Sequence, residues 1–377
     1  MSSIRDLYMF PVGIKRLETQ GRMGSTVNSC IQRIEIMKHK YLITIDGGTS
    51  NTRVYLWDGP DNLIGEKKAS IGVRNSAIDG NNHALCHALH EMLMELLQDE
   101  RLNPDDIIGV YVSGMLTSAA GIYELPHITA PVGLDELAKG VRDLHLPEIW
   151  PGSVSLIPGV RNTEPDQVFL ENLSGMDVMR GEETEAIALI PEISEGQGAV
   201  LILPGSHTKV IFVDSAHKIV RSLTTMSGEL LQLLTQNSIL ADTTKKEFLS
   251  GTPDHSFLMA GYHEAKQSRS LSRAVFLTRV AGMFVNMDLV SVRSFLLGAV
   301  LENDVTVIQS EWKVAEHFNE PICIAGKGPF ATGLYDLLQA EGYSNSFIYR
   351  PKDNRPLSGK GAWKIYEERS NDISGKR

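Results

Sequence analysis

The sequence contains little cysteine, no long apolar run and no excess of basic residues. Its three cysteines, Cys30, Cys86 and Cys323, are widely spaced and form no CxxC pair, which excludes a disulfide framework and a zinc knuckle and fits a reducing compartment. No stretch approaches the roughly 18–20 apolar residues of a membrane span. Acidic residues outnumber basic ones 46 to 36, and the net charge of −10 argues against nucleic acid or an anionic membrane as partner.

The remaining composition is that of an ordinary globular protein. The 377 residues are 42% apolar and 22% charged, and this length predicts two domains of about 100–200 residues each. Residues 1–36 contain acidic residues and lack the 7–15-residue apolar stretch of a secretory signal. We interpret residues 1–36 as a poorly ordered extension, with a targeting or regulatory segment as the alternative.

Two stretches of the chain predict β-hairpins of the same design. Residues 41–45 and 53–57 are apolar strands around a long polar turn, and residues 199–203 and 210–214 repeat this arrangement. The turns lie 159 positions apart (205 minus 46), which suggests a duplicated fold. Further periodic segments predict other elements: a helix at 83–102, a strand at 107–112, helices within 228–240 and 270–300, a strand at 321–325 and a helix at 332–340.

Three glycine-rich loops at strand ends of this α/β pattern are candidates for phosphate binding. The first, Asp46-Gly47-Gly48-Thr49-Ser50-Asn51, offers a carboxylate for Mg²⁺ and glycines that let backbone N–H groups approach a phosphate. The second, Gly205-Ser206-His207-Thr208-Lys209, adds a lysine that can neutralise phosphate charge. The third, Gly326-Lys327-Gly328, stands between a strand and a helix. Each loop alone could be an ordinary turn, but three such loops in this order argue against coincidence.

These motifs, together with four others, resemble a known family. The three loops are similar to the two phosphate motifs and the adenosine motif of the actin/hexokinase/sugar-kinase superfamily. Within it the chain resembles the 2-dehydro-3-deoxygalactonokinase family, from about residue 38 to about residue 364. The narrower resemblance rests on Ser113-Gly114-Met115, Asp177-Val178-Met179-Arg180-Gly181-Glu182-Glu183-Thr184, Leu203-Pro204-Gly205 and Ser227-Gly228-Glu229-Leu230. That family typically carries a Trp where Gly47 stands.

The resemblance implies a fold and a reaction. It implies two RNase H-like (actin-like ATPase) domains around a nucleotide cleft, with domain I at residues 37–180 and domain II at residues 181–377. It also implies ATP and Mg²⁺ as cofactors, with Asp46 as the metal residue, and phosphorylation of the 6-hydroxyl of 2-dehydro-3-deoxy-D-galactonate in D-galactonate degradation. The expected protein is a cytoplasmic enzyme acting on a small sugar acid.

Phosphoryl transfer needs a carboxylate that accepts the hydroxyl proton. In sugar kinases of this superfamily the base follows a Gly at the start of the second domain, which indicates Glu182. A Glu in the first turn of a helix is also favoured by the helix dipole whatever the chemistry. Asp177 is the second catalytic candidate, and Glu183 stays open as the third.

A 2-keto acid brings a carboxylate, and in a chain of net charge −10 it needs fixed cations. Arg180 is the first candidate because its planar guanidinium can bind a carboxylate, and a helix-end salt bridge is the alternative. Arg53 could contact substrate or nucleotide phosphate. Ser113, Gly114 and Met115, at a strand end, are further substrate candidates.

Other functions remain open from the sequence. The enzyme could phosphorylate another 2-keto-3-deoxy sugar acid, or the chain could be a non-catalytic actin-like ATP-binding protein. A regulatory sugar-binding protein would be favoured by a preceding helix-turn-helix, and residues 1–36 show no such pattern. A homodimer is also left open.

Overall fold

The computed structural model describes residues 41–194, 196–315 and 320–375. The extension predicted for residues 1–36 lies outside these ranges. The strands of the described chain are β1 (Tyr41–Gly47), β2 (Thr52–Asp58), β3 (Leu63–Ala69), β4 (Ile107–Gly114), β5 (Ile128–Thr129), β6 (Arg142–His145), β7 (Ser153–Leu156), β8 (Val160–Arg161), β9 (Val178–Met179), β10 (Ala199–Leu203), β11 (Thr208–Val213), β12 (Ile219–Thr225), β13 (Ile322–Ile324) and β14 (Ser346–Ile348).

Helices connect and cover these strands. They are α1 (Val73–Asp79), α2 (His83–Asp99), α3 (Leu134–Gly140), α4 (Glu182–Ile193), α5 (Ser227–Asn237), α6 (Ala241–Thr244), α7 (His255–Ser268), α8 (Leu271–Phe284), α9 (Leu289–Ala315), α10 (Gly328–Ala340) and α11 (Leu357–Gly375). The helical stretch predicted at 270–300 is two helices. Asp288 lies between these two helices, directly before α9. Its Oδ1 accepts a 2.8 Å hydrogen bond from the N–H of Ser291 and so caps the start of α9.

The two large sheets share one topology. The first has the strand order β3-β2-β1-β4-β7-β6 and the second the order β12-β11-β10-β13-β14. In each, a three-stranded antiparallel unit continues into two parallel strands, because β1 and β10 pair antiparallel with the next strand and parallel with β4 and β13. The duplicated α/β fold expected from the two hairpins is therefore confirmed.

An apolar layer joins the two sheets. Helices α4 and α11 pack against each other there, and one buried cluster combines Leu42 of β1, Leu189 of α4, Leu201 of β10 and Trp363 of α11. The outer face of the first sheet packs on α2 and that of the second on α7, α9 and α10. Both faces of β1 and β10 are thus covered, which explains why these strands are continuous apolar runs.

The last helix of the described ranges contacts the first sheet. Helix α11 packs on β1, β4 and α3, although its residues belong to the second domain predicted from the sequence, residues 181–377. The boundary predicted between residues 180 and 181 lies just before α4, which begins at Glu182. Within the described ranges, no helix combines the length and apolarity needed to cross a lipid bilayer.

Candidate active site

The turns after β1 and β10 open onto one cavity of about 600 Å³. Because both hairpins have the same place in their sheets, the duplicated topology brings the two polar turns together. The wall also includes the segment between β9 and α4. The lining residues are Asp46, Gly47, Gly48, Thr49, Met115, Ser118, His127, Asp177, Val178, Met179, Arg180, Gly181, Glu182, Glu185, His207, Lys209 and Thr224.

Carboxyl groups from both domains face this cavity. Asp46 pairs with Arg53 at 3.4 Å, yet burial outweighs the guanidinium and raises the pKa of Asp46. Burial, together with the charges of Asp46, Glu182 and Glu183, raises the pKa of Glu185 to about 8. Carboxylates that repel one another in a cavity can be stabilised by a cation, and Mg²⁺ is usually held by one or two carboxylates plus phosphate and water oxygens. Asp46 and Glu185 are a suitable donor set for it.

The described residues include no group of three or more His, Cys, Asp or Glu side chains arranged to hold a metal ion. The two carboxylates at the cavity are therefore the observation on which a Mg²⁺ assignment to Asp46 depends. Glu185 was not among the sequence candidates, although it lies on the same helix as Glu182 and Glu183.

The first glycine loop is fixed by neighbouring backbone. The N–H of Gly48 donates to the carbonyl of Asn51 at 2.8 Å, and the N–H of Arg74, at the start of α1, donates to the carbonyl of Thr49 at 3.0 Å. A Cβ on Gly47 would lie 2.1 Å from Cγ of Leu116. Leu116 thus occupies the space beside residue 47 and leaves no room there for a side chain. Ser50 is exposed and does not line the cavity.

Lys209 of the second loop is buried and points toward β9. Its Nζ donates to the carbonyl of Val178 at 2.7 Å and to the hydroxyl of Thr224, and it lies 3.6 Å from a carboxylate oxygen of Asp177. Asp177 also accepts a 2.7 Å hydrogen bond from Thr224. Lys209 and Asp177 therefore form an ion pair at the cavity wall, and Thr224 contacts both. Thr208, the residue before Lys209, is buried and does not line the cavity.

The three candidates for the base have different surroundings. Glu182 lines the cavity, and its Oε2 accepts a 3.1 Å hydrogen bond from the N–H of Arg180. Glu183 is fully buried, and both its oxygens accept from the N–H of Gly181 at 2.9 and 2.8 Å. Burial and the nearby charge of Glu182 raise the pKa of Glu183 to about 8. Glu183 thus faces the interior, while Glu182 and the paired Asp177 face the cavity.

Some of the substrate candidates line the cavity and others do not. Arg180 and Met115 line the cavity, whereas Arg53, Ser113 and Gly114 do not. The Ser113 hydroxyl is buried and donates to the carbonyl of Ile45 at 3.2 Å, and Arg53 pairs with Asp46. Ser113 and Arg53 are thereby engaged within the protein, as supports of β1 and Asp46. Gly114 adopts φ +78°, where its Cα approaches the backbone of Gly181 and Gly47.

His127 is a cavity residue that the sequence analysis missed. The guanidinium of Arg180 donates to Thr117 Oγ1 at 2.9 Å and to the carbonyl of Leu125, and its Nη2 lies 3.4 Å from Nδ1 of His127. Burial, followed by the charges of Arg180, Arg161 and Lys209, lowers the pKa of His127 to about 4. The imidazole is therefore neutral at physiological pH. Its position in a proline-rich loop gave no periodic pattern that could have identified it.

A second cavity, of about 390 Å³, lies on the other side of the second glycine loop. Gly205 and Ser206 line it, whereas His207 lines the first cavity. Lys327, from the third loop, also lines it, while Gly326 and Gly328 do not. Eight of the thirteen other wall residues have apolar side chains, which are common in ligand pockets. We therefore call this the apolar cavity, and we call the first one, whose wall is rich in charged side chains, the polar cavity. The thirteen residues are Pro204, Gly228, Leu231, Gln232, Thr235, Glu247, Phe248, Leu249, Arg293, Leu296, Leu297, Pro329 and Phe330.

A buried carboxyl group supports the loop between the two cavities. Asp304 of α9 accepts hydrogen bonds from Thr225, at 2.6 Å, and from Ser227, and burial raises the pKa of Asp304. Ser227 precedes Gly228, where a Cβ would lie 2.0 Å from the carbonyl oxygen of Gly205. Asp304 therefore holds the start of α5 tightly against the second glycine loop. No local pattern indicates this contact, since Asp304 lies 79 residues from Thr225 and 77 from Ser227.

Comparison with known proteins agrees with the α/β fold described above. The model of a family described as "2-keto-3-deoxy-galactonokinase" matches residues 46–360. A solved structure from Sinorhizobium meliloti, assigned as a 2-dehydro-3-deoxygalactonokinase, superposes with a TM-score of 0.68 at 17% identity, covering 88% of this chain and 99% of that one. At this identity the likeness establishes the fold. No curated protein matches the sequence.

Weaker likenesses extend to other proteins. An activator of 2-hydroxyisocaproyl-CoA dehydratase from Clostridium difficile, with bound ADPNP, has a TM-score of 0.45 at 12% identity, covering 89% of this chain and 97% of that one. An N-acetylglucosamine kinase from Chromobacterium violaceum has a TM-score of 0.42 at 13% identity, covering 87% and 99%. Similarity at this level carries no argument about function.

Proposed function

Because the family model matches residues 46–360, the chain belongs to the 2-keto-3-deoxy-galactonokinase family, and we propose that it transfers the γ-phosphoryl group of ATP to the 6-hydroxyl of 2-dehydro-3-deoxy-D-galactonate. The observation that carries this proposal is the pair of cavities on either side of one glycine loop. Gly205 and Ser206 line the apolar cavity, and His207 lines the polar cavity. This arrangement is suited to a nucleotide whose base and phosphates lie on opposite sides of a loop.

We assign the adenine ring to the apolar cavity and the transferring phosphate to the polar one. Lys209 would neutralise phosphate charge, since its buried ammonium lies at the wall of the polar cavity. Asp46, with Glu185 beside it, would hold Mg²⁺, which when bound neutralises charge on the nucleotide phosphates. The first glycine loop lines the same cavity through Gly47, Gly48 and Thr49.

The chemistry then requires one proton transfer. The 6-hydroxyl oxygen attacks the γ-phosphorus, its proton passes to a carboxylate of the protein, and ADP leaves. We assign the proton to Glu182, because it faces the cavity and its contact is one backbone N–H group, whereas Asp177 is paired with Lys209. Glu183 is buried beneath them.

The substitution Glu182→Gln tests this assignment. We expect turnover to fall about 10²-fold or more, because the amide cannot accept the proton, while ATP binding stays close to that of the wild type. Calorimetric titration with a non-hydrolysable ATP analogue and an ADP-release assay measure the two quantities. Glu171→Gln, on an exposed turn, is the matched control. Full activity in Glu182→Gln would move the base elsewhere, with Asp177 next.

The substrate is tested by an ADP-release assay across a panel of sugar acids. We expect 2-dehydro-3-deoxy-D-galactonate to give the highest kcat/KM, with its C4 epimer second and saturated aldonic acids far lower. A higher kcat/KM on another 2-keto-3-deoxy acid would reassign the substrate within the family. ATP binding without turnover on any member of the panel would refute the kinase proposal and favour a non-catalytic ATP-binding protein. The product's phosphorylated position is read by phosphorus NMR.

A further inference from the structure

His127 stands among three cations, of which two have acidic partners. Arg161 pairs with Glu164, and Lys209 lies 3.6 Å from Asp177. In the described part of the chain, Arg180 forms no ion pair with a carboxylate; its guanidinium contacts the hydroxyl of Thr117, the carbonyl of Leu125 and the ring of His127. A partly buried guanidinium without a carboxylate partner favours an anion at the cavity wall.

The contact with Arg180 determines where the imidazole proton lies. A guanidinium has only N–H donors, so Nδ1 of His127, 3.4 Å from Nη2 of Arg180, faces it as an acceptor. The neutral ring then carries its proton on Nε2. This atom is buried and has no hydrogen-bond partner among the described residues. A buried donor without an acceptor is costly, and a ligand oxygen would satisfy it.

Arg180 and His127 both line the cavity and lie in contact with each other, and in the tautomer set by Arg180 each offers hydrogen-bond donors. The end of a 2-oxo acid has matching chemistry, because its ketone and carboxylate oxygens can only accept hydrogen bonds. A 2-hydroxy acid has an O–H group at the same place, which must find an acceptor of its own. The difference between these two ligand ends lies at a single oxygen atom.

We propose, resting on the proposed function, that His127 is a specificity-determining residue whose Nε2–H donates to the 2-oxo oxygen of the substrate while Arg180 binds the adjacent carboxylate. The substrate thereby lies with its acid end against the loop after Leu125 and its terminal hydroxyl toward Glu182. His127 recognises the 2-oxo group, and the charge of the acid is recognised by Arg180.

The test compares two substrates in three proteins. The substrates are 2-dehydro-3-deoxy-D-galactonate and the 3-deoxy acid in which its 2-oxo group is reduced to a hydroxyl. The proteins are the wild type, His127→Leu and His127→Gln, whose amide N–H can replace the Nε2–H donor. We expect His127→Leu to raise KM for the 2-oxo acid about tenfold and KM for the hydroxy acid less than about twofold. We expect His127→Gln to recover most of the loss, with KM for ATP unchanged in both variants.

The outcomes separate this proposal from the proposed function. Wild-type turnover of the 2-oxo acid with an unchanged ratio of the two KM values in His127→Leu would overturn the role of His127 and leave the kinase assignment intact. No turnover by the wild type would refute the kinase assignment. A second measurement needs no variant: ¹⁵N spectra of the histidine rings should show His127 protonated at Nε2, with its resonance shifted by the 2-oxo acid in the absence of ATP. Protonation at Nδ1, or no shift at saturation, would overturn the proposal.

Discussion

The β1–β2 turn and the β10–β11 turn have equivalent places in their sheets but carry opposite charges. The first turn begins with Asp46, and the second ends with Lys209. Both reach the same cavity. The duplicated framework therefore supplies two polar turns that face each other, and a few side chains make one suitable for a cation and the other for an anion.

The two turns also differ in their support. Asp46 is paired with Arg53 of the adjacent strand, whereas Lys209 contacts Asp177 and Val178, which precede α4. The second turn is further held by Asp304 through Ser227. The acidic side chain of the first turn is thus ion-paired within its own hairpin, although α1 holds the backbone of that turn. The basic side chain of the second turn has its partners in distant parts of the chain. Substitutions in each turn should show how much each kind of support contributes to turnover and to stability.

The largest effect is expected at the acidic turn. Asp46→Asn should lower turnover on the order of 10³-fold, because the amide is a poor ligand for Mg²⁺ and leaves phosphate charge less compensated. The measurement is kcat as a function of Mg²⁺ concentration. Asp58→Asn, at the exposed end of the same hairpin, is the matched control. An unchanged Mg²⁺ dependence in Asp46→Asn would remove its assigned role.

The basic turn should give the next largest effect. Lys209→Met should lower turnover about 10²-fold, because a buried cation that stabilises phosphate charge is lost. It also leaves Asp177 without its lysine partner, so the melting temperature is measured in parallel. Lys68→Met, on the exposed face of β3, is the control. Wild-type turnover in Lys209→Met would show that the opposite charges of the two turns are unrelated to catalysis.

The support of the second turn is tested at Asp304. Asp304→Leu removes the acceptor for Thr225 and Ser227 and should raise KM for ATP about tenfold, whereas Asp304→Asn keeps an acceptor oxygen and should raise it about twofold. KM for the sugar acid should change little in either variant. Equal increases of both KM values would contradict a specific effect of Asp304 on the ATP side of the site. A loss of folding would instead lower the apparent kcat, and thermal unfolding measures it independently.

Local sequence was sufficient for the two hairpins and for several cavity residues. Asp46 lies at the end of one strand and Lys209 at the start of another, and Arg180 and Glu182 lie where β9 is followed by α4. A polar residue next to an apolar run indicates a site at such places. Ser113 shows the limit of that reasoning, because its hydroxyl donates to Ile45 of the neighbouring strand. That partner is set by strand pairing across 68 residues, which local pattern does not reveal.

The sequence did not reveal strands β3 and β12 or the roles of His127 and Asp304. Strands β3 and β12 are the outermost members of their antiparallel units, and the exposed charges of β3 at Glu66 and Lys68 hide its strand character. His127 and Asp304 act through contacts with residues far away in the chain. Their roles come from tertiary packing, so neither periodicity nor a local motif could have indicated them.

The smallest effect concerns Glu183, which lies beside the cavity but faces the interior. Its pKa in the folded protein is raised to about 8 from an ordinary value of 4.5. Between these values the folded state binds more protons than the unfolded state, so the free energy of unfolding falls as the pH rises from about 4.5 to about 8 and levels off above. Glu183→Gln, which mimics the protonated form, should remove part of this slope.

Calorimetric melting at pH 6 and pH 8 measures that slope. We expect the melting temperature of the wild type to fall between these pH values by about 3 °C more than that of Glu183→Gln. Turnover of the variant should stay within about threefold of the wild type, since Glu183 does not line the cavity. The same pH slope in both proteins would show that Glu183 is ionised in the fold. Glu182 and Glu183 are neighbours in sequence. A comparison of Glu182→Gln with Glu183→Gln therefore distinguishes a catalytic carboxylate from one that stabilises the start of α4.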